Sequence, residues 1–306
     1  MARSLPLTPP AAGSLFAAPA GLWGSQCPAA PVPAPLRTSN WWVAMKKTTA
    51  ILLVSVFAAA PAFAQAGFSG TWKADLSSVQ TPQKPDVFMI KGGVYTCRSC
   101  APAVMVRADG AFHHVTGHPY YDEESVKVVD ARTVAFAQRL KGKAVGHSAR
   151  TVSPDGKMLT FTFTDTSSPT GKIVTGSGTE RRVGPAPAGA HAVSGSWRTD
   201  KYDNVSDAGL LVSYKLVGDM LQMSTPTGES YQAKVGGGAV PIHGDPAATM
   251  ASIRRLGPAT LQETDMRAGK PVGVTTMTLN RDGRTMSVVY EDKVLATRMA
   301  YKAVKQ

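Results

Sequence analysis

The chain has 306 residues, 43% hydrophobic and 18% charged, with 3 cysteines and a formal net charge of +12. A basic chain of this kind can associate with acidic envelope surfaces or polyanions, although its Lys and Arg are scattered and read first as a solvated surface. No nucleic-acid motif is visible, which argues against a nucleic-acid partner.

Residues 1–44 are rich in Pro and Ala, contain no Asp or Glu, and show neither helical nor strand periodicity. They read as an upstream start assigned in error or as a disordered extension. From Met45 the sequence runs MKKTTAILLVSVFAAAPAFAQAG, with a charged start at Lys46 and Lys47, an apolar stretch and a small-residue cleavage site ending at Ala64. This is the pattern of a secretory signal peptide over 45–64. The apolar run is too short to span a bilayer. No cysteine follows closely for a lipid anchor, so we expect a soluble periplasmic or secreted product starting at Gln65, with no transmembrane segment. Four of the 33 basic residues and none of the 21 acidic ones precede Gln65, leaving +8 on the remainder.

The remainder repeats itself. FSGTWKAD at 68–75 returns as VSGSWRTD at 193–200, aligning Trp72 with Trp197, and GKAVG at 142–146 matches GKPVG at 269–273. TVSPDGKMLTF at 151–161 matches TLNRDGRTMSV at 278–288. In each copy an Asp-Gly pair, Asp155-Gly156 or Asp282-Gly283, separates two alternating runs and predicts a tight hairpin. Leu159, Phe161 and Phe163 share one face of the strand that follows. Short runs such as DVFMIK, VMVRA, SVKVVD, TVAFAQ and LLVSYKLV add further strands, and no window carries an amphipathic helix. Each copy reads as a meander of about eight strands. The expected fold is all-β: two tandem antiparallel β-barrel or β-sandwich domains, 65–184 and 193–306, joined by a Pro/Gly/Ala-rich linker at 185–192.

Cys97 and Cys100, in YTCRSCAP, are the only cysteines after residue 64. In an oxidising compartment they are expected to pair with each other. A redox centre is the alternative, but its CxxC usually opens a helix, and here strand and loop flank it. A metal site is the third, drawing on His113, His114 and His118 with the two thiolates; His113 and His114 would point to opposite faces of a strand. The second copy forms the same stretch with Met223 and Pro226 near the cysteine positions. No hydrolase elbow, zinc-protease motif or phosphate loop is present, so neither catalytic residues nor cofactors are expected. The acidic run YYDEES at 120–125 reads as a solvated turn, and DNVSDAG at 203–209 lacks full calcium-loop spacing. Trp72, Phe88, Phe136, Phe161 and Phe163 are expected to line either a filled core or a pocket for a small hydrophobic ligand.

The GTW and GSW of the two copies resemble the Gly-x-Trp signature of lipocalins and fatty-acid-binding proteins. That resemblance implies lipocalin-like barrels in which the first-strand Trp lies under an Arg of a late strand. Arg181 or Arg182 would serve Trp72 in the first copy, and Arg298 would serve Trp197 in the second. Gly-Thr-Trp-Lys, a Gly-x-Pro turn and a Val-Ser-x-Asp-Gly-Lys hairpin also resemble a group of secreted bacterial proteins, some of them tandem, with no established activity to lend. The functional expectation is a non-enzymatic binding or envelope-associated protein carrying a small apolar ligand. Redox or metal handling through the CxxC, and binding of acidic envelope polymers, are the alternatives.

Overall fold

A computed structural model describes residues 67–306. The expected start, extension and signal peptide of residues 1–64 lie outside the described residues. The first eleven strands are β1 (Gly70–Gln80), β2 (Asp86–Lys91), β3 (Val94–Cys97), β4 (Val104–Arg107), β5 (Asp109–His114), β6 (Glu123–Val128), β7 (Thr133–Leu140), β8 (Lys143–Val152), β9 (Met158–Asp165), β10 (Val174–Arg182) and β11 (Gly195–Val205). A single helical turn, Asp207–Leu210, leads to β12 (Leu211–Val217), β13 (Met220–Ser224), β14 (Ser230–Lys234), β15 (Val240–Pro241), β16 (Met250–Gly257), β17 (Thr260–Arg267), β18 (Lys270–Leu279), β19 (Thr285–Asp292) and β20 (Thr297–Lys305). They form two ten-stranded, antiparallel, nearly closed barrel-like sheets. No described helix is long and apolar enough to cross a membrane.

Sheet membership does not follow the sequence copies. The first sheet runs β4-β3-β2-β11-β10-β9-β8-β7-β6-β5, and the second β14-β13-β12-β1-β20-β19-β18-β17-β16-β15. The opening strand of each copy therefore lies in the other copy's sheet: β1 pairs with β12 and β20, and β11 pairs with β10 and β2. The boundary expected at 185–192 falls inside the first sheet, between β10 and β11. Its backbone is held there, His191 N–H donating to Ile90 O at 2.9 Å and Ser194 Oγ accepting from Ile90 N–H at 2.9 Å. Pro, Gly and Ala at that place make an ordered connection within one sheet, not a domain linker. The chain crosses between sheets at 81–85, which carries Pro82 and Pro85, and at 206–210.

Turn chemistry explains the meander. Gly156 and Gly283 have φ of 71° and 64°, and each donates its N–H to the residue three before it. The preceding aspartates do not share the positive φ; Asp155 Oδ1 instead accepts Ser153 Oγ–H and Lys157 N–H. The two-residue hairpins with positive φ at both positions lie elsewhere, at Gly92-Gly93, Lys141-Gly142 and Ala268-Gly269. That geometry matches the right-handed twist of the paired strands. Between turns, inward residues alternate with outward ones, so Val134, Phe136 and Gln138 of β7 and Leu261, Glu263 and Asp265 of β17 face the two interiors.

The two sheets also touch through loops. Arg267 Nη2 donates to the Tyr120 hydroxyl at 2.9 Å, and Ser168 Oγ and Thr170 Oγ1 donate to the carbonyls of Thr227 and Pro226.

Candidate functional site

Each Gly-x-Trp motif builds the same local arrangement. Trp72 and Trp197 are fully buried, and their indole N–H groups donate to Phe68 O and Val193 O at 2.9 and 2.8 Å. Over the Trp197 ring lies the Arg182 guanidinium, 4.0 Å from the centroid. Its three nitrogens donate to Gly156 O, Ser194 O and Ala192 O at 2.6–2.7 Å. Gly195 has φ of 139°, and a Cβ there would sit 2.5 Å from Arg182 Nη1, so only glycine fits beneath the cation. In the second sheet Lys305 takes this place: its Nζ lies 5.4 Å from the Trp72 ring centroid, and its chain occupies the space a Cβ on Gly70 would need.

The expected partners are therefore exchanged. Arg182 serves Trp197, not Trp72, because β11 lies beside β10. Arg298 is exposed at the far end of β20, opposite Glu291, and does not approach a tryptophan. The signal for Lys305 was a length difference: the β9–β10 connection spans 166–173 and its counterpart only 293–296, which shifts the alignment by four residues. Arg181 is exposed and pairs with Asp200 at 2.8 Å.

Cys97 and Cys100 form a disulfide, and both are buried. Cys97 ends β3 between Phe88 and Val104, with no helix behind it. The second sheet makes the same pairing with Met223 between Tyr214 and Tyr231. The five candidate metal ligands are not brought together. His113 pairs with Asp109 at 2.8 Å, His114 is exposed, and His118 stacks on Tyr121 at 4.6 Å with burial holding its pKa down to about 4. Among the described residues no three His, Cys, Asp or Glu side chains gather as a metal site.

The unexpected chemistry lies inside the first sheet. YYDEES is not a solvated turn: Tyr120 and Tyr121 are buried, and strand alternation turns Glu124 fully inward on β6. Arg150 of β8 and Glu180 of β10 are buried with it, and Asp86 of β2, partly exposed, completes the charged set. Arg150 lies over the Phe88 and Phe136 rings, 5.1 and 5.4 Å from their centroids. Burial pushes the Glu124 carboxyl up to about 8, against Gln138 and Arg150, which favour its ionised form. Burial also raises Glu180, with Arg150 opposing, and Asp86, where the Glu180 charge adds to the effect. The Arg150 guanidinium is itself held below its usual range by burial.

Strand pairings allow residue-by-residue comparison of the two interiors. Asp86 is opposite Trp197 as Val212 is opposite Trp72; Glu124 is opposite Gln138 as Ala251 is opposite Asp265. Arg150 pairs with Phe161 as Met277 pairs with Val288, and Glu180 with Leu159 as Ala303 with Met286. All four members of this charged set thus have apolar counterparts, whereas the buried Asp165 at the end of β9 keeps an acidic one, Asp292. The second interior places its acids differently, with the Tyr231 hydroxyl donating to Glu263 Oε2 at 2.7 Å and Asp265 also hydrogen-bonded to Glu263.

The first interior is incompletely paired. Gln138 Nε2 donates to Glu124 Oε1 at 3.2 Å. The Tyr95 hydroxyl, Glu124 Oε2, Gln138 Oε1, Ser148 Oγ, Arg150 Nε and Nη1, and Glu180 Oε2 are buried without a hydrogen-bond partner among the described residues. The aromatics expected to act together are split, Trp72 standing in the second sheet and Phe88, Phe136, Phe161 and Phe163 in the first. A separate open hollow of about 580 Å³ lies against β12–β14, lined by Ser213, Lys215, Gln222, Gln232 and His243 among others. No protein-family model and no curated protein sequence matches the chain.

Proposed function

We propose that the protein is a non-catalytic binding protein of the periplasm or extracellular space, and that the interior of its first sheet is the binding site. One observation carries this reading: a charged cluster whose polar atoms are only partly paired by protein, in a fold whose other copy fills the same positions with Val, Ala and Met. An unpaired buried polar atom costs about 1–3 kcal/mol. Seven such atoms would rival the whole stability of a domain, about 5–15 kcal/mol. Their partners are then buried water or a bound molecule. The reading replaces the apolar cargo expected from the barrel resemblance with a polar one. Native mass spectrometry of protein isolated from the secreting cell should show an adduct of constant mass that denaturation releases. A spectrum with the bare polypeptide mass alone, before and after incubation with cell extract, would refute the proposal.

A further inference from the structure

Resting on that reading, we infer that the first interior accepts a small zwitterionic molecule, its anionic group on Arg150 and its ammonium group on Glu124 and Glu180. The unpaired atoms are of both kinds. Arg150 offers two N–H groups, Nε and Nη1, that require acceptors, whereas Gln138 Oε1 and, in their ionised forms, Glu124 Oε2 and Glu180 Oε2 require donors, so that a bound ammonium group takes the place of the proton that burial otherwise keeps on the Glu124 carboxyl. A fatty acid supplies acceptors alone and leaves the carboxyl oxygens unpaired. An alkylamine supplies donors alone and leaves the guanidinium edge unpaired. A molecule bearing both groups pairs both sets, and buried charges are retained where they are paired and hydrogen-bonded. Phe88 and Phe136, beneath the guanidinium, supply an apolar wall for the short carbon chain between the two ends.

The second interior supplies the control substitutions. Arg150→Met and Glu124→Ala install the residues that the second sheet carries at equivalent positions, Met277 and Ala251, so the fold already accommodates both side chains. The experiment is calorimetric titration of the whole protein, after denaturation and refolding to remove any retained molecule. The probes are the unbranched ω-amino acids from glycine to 6-aminohexanoate, the matching alkylamines and carboxylates, and decanoate. The expected result is one ω-amino acid bound at least tenfold more tightly than its amine and its carboxylate. Each variant should lose at least tenfold in that affinity while keeping the β-sheet circular dichroism and a cooperative melt. Decanoate or a simple amine binding as tightly as any zwitterion overturns the ligand class and leaves the binding site standing. No binding by any probe, together with no adduct in native mass spectrometry, overturns both, and the cluster is then bridged by water alone.

Discussion

At the residue scale, Arg182 and Arg298 separate a structural arginine from a surface one. Arg182 makes three hydrogen bonds to main-chain carbonyls and covers an indole, closing the sheet end around β10, β11 and the 183–194 connection. Arg182→Ala leaves those carbonyls and the Trp197 face without their partner, and should lower stability by about 2–4 kcal/mol in urea denaturation. Arg298→Ala, on an exposed strand end, should stay within about 0.5 kcal/mol. Glu124 gives a pH test. Its folded-state pKa, near 8, lies above the ordinary carboxyl value of 4.5, so between these pH values the folded protein binds a proton that the unfolded chain has released. Its contribution is full below about pH 4.5 and is lost as pH rises towards 8, by up to about 1.4 kcal/mol per pH unit. Glu180 and Asp86, also raised, act in the same direction. His118, held down to about 4, acts the other way below about pH 6.5, so melting temperature should fall from pH 6.5 to pH 8, and Glu124→Gln should flatten that slope; an unchanged slope would refute the assignment.

At the element scale, the exchange of opening strands decides which pieces of the chain are complete. Residues 81–206 contain all ten strands of the first sheet, whereas 65–184 lacks β11, leaving one edge each of β10 and β2 unpaired and Arg182 without Trp197. The 81–206 fragment should unfold cooperatively in urea, and the 65–184 fragment should show neither a cooperative transition nor dispersed amide resonances. The Cys97–Cys100 bond closes a very short loop, so its chain-entropy contribution is about 2 kcal/mol. Since Met223 fills the corresponding place in the second sheet, the double alanine variant should lose about that much and keep its fold. Strand positions were legible because period-two alternation and Gly-containing turns are local signals. Sheet membership was not, because a strand inserted beside its own copy or beside the other one buries the same face with the same residues. Glu124 was missed for a related reason: an acidic residue in a polar run carries no mark of facing inward until its strand register is known. The disulfide was legible from spacing and the expected compartment, but the Arg182–Trp197 pair needed the strand exchange and the Lys305–Trp72 pair the four-residue shift, both of which the paired strands reveal.

At the scale of the whole molecule, burial sorts the charges unequally. Among the described residues, seven of the 21 acidic side chains are buried, Glu124, Asp165, Glu180, Glu229, Glu263, Asp265 and Asp292, against only Arg150 among the 29 basic ones. At least partly exposed are therefore 28 basic and 14 acidic side chains, a surface more positive than the sequence total suggests. Several ion pairs offset this locally, such as Lys73 with Asp207 and Lys201 with Asp203, but they consume one cation for each anion and leave the excess unchanged. An excess of this size attracts polyanions at long range, and the attraction is screened as the Debye length contracts from about 30 Å at 0.01 M salt to about 3 Å at 1 M. The whole protein should be retained on immobilised polyglutamate at low salt and elute well before 1 M sodium chloride. Reversing Arg281 and Arg284, exposed around the β18–β19 turn, to glutamate should move elution to lower salt without altering the melt, because neither side chain enters the core. Retention that persisted at 1 M salt would mean a short-range contact, and no retention at 0.01 M would mean that the excess charge is too dispersed to hold a polymer; either result would set the polyanion reading aside and leave the first interior as the only proposed site of binding.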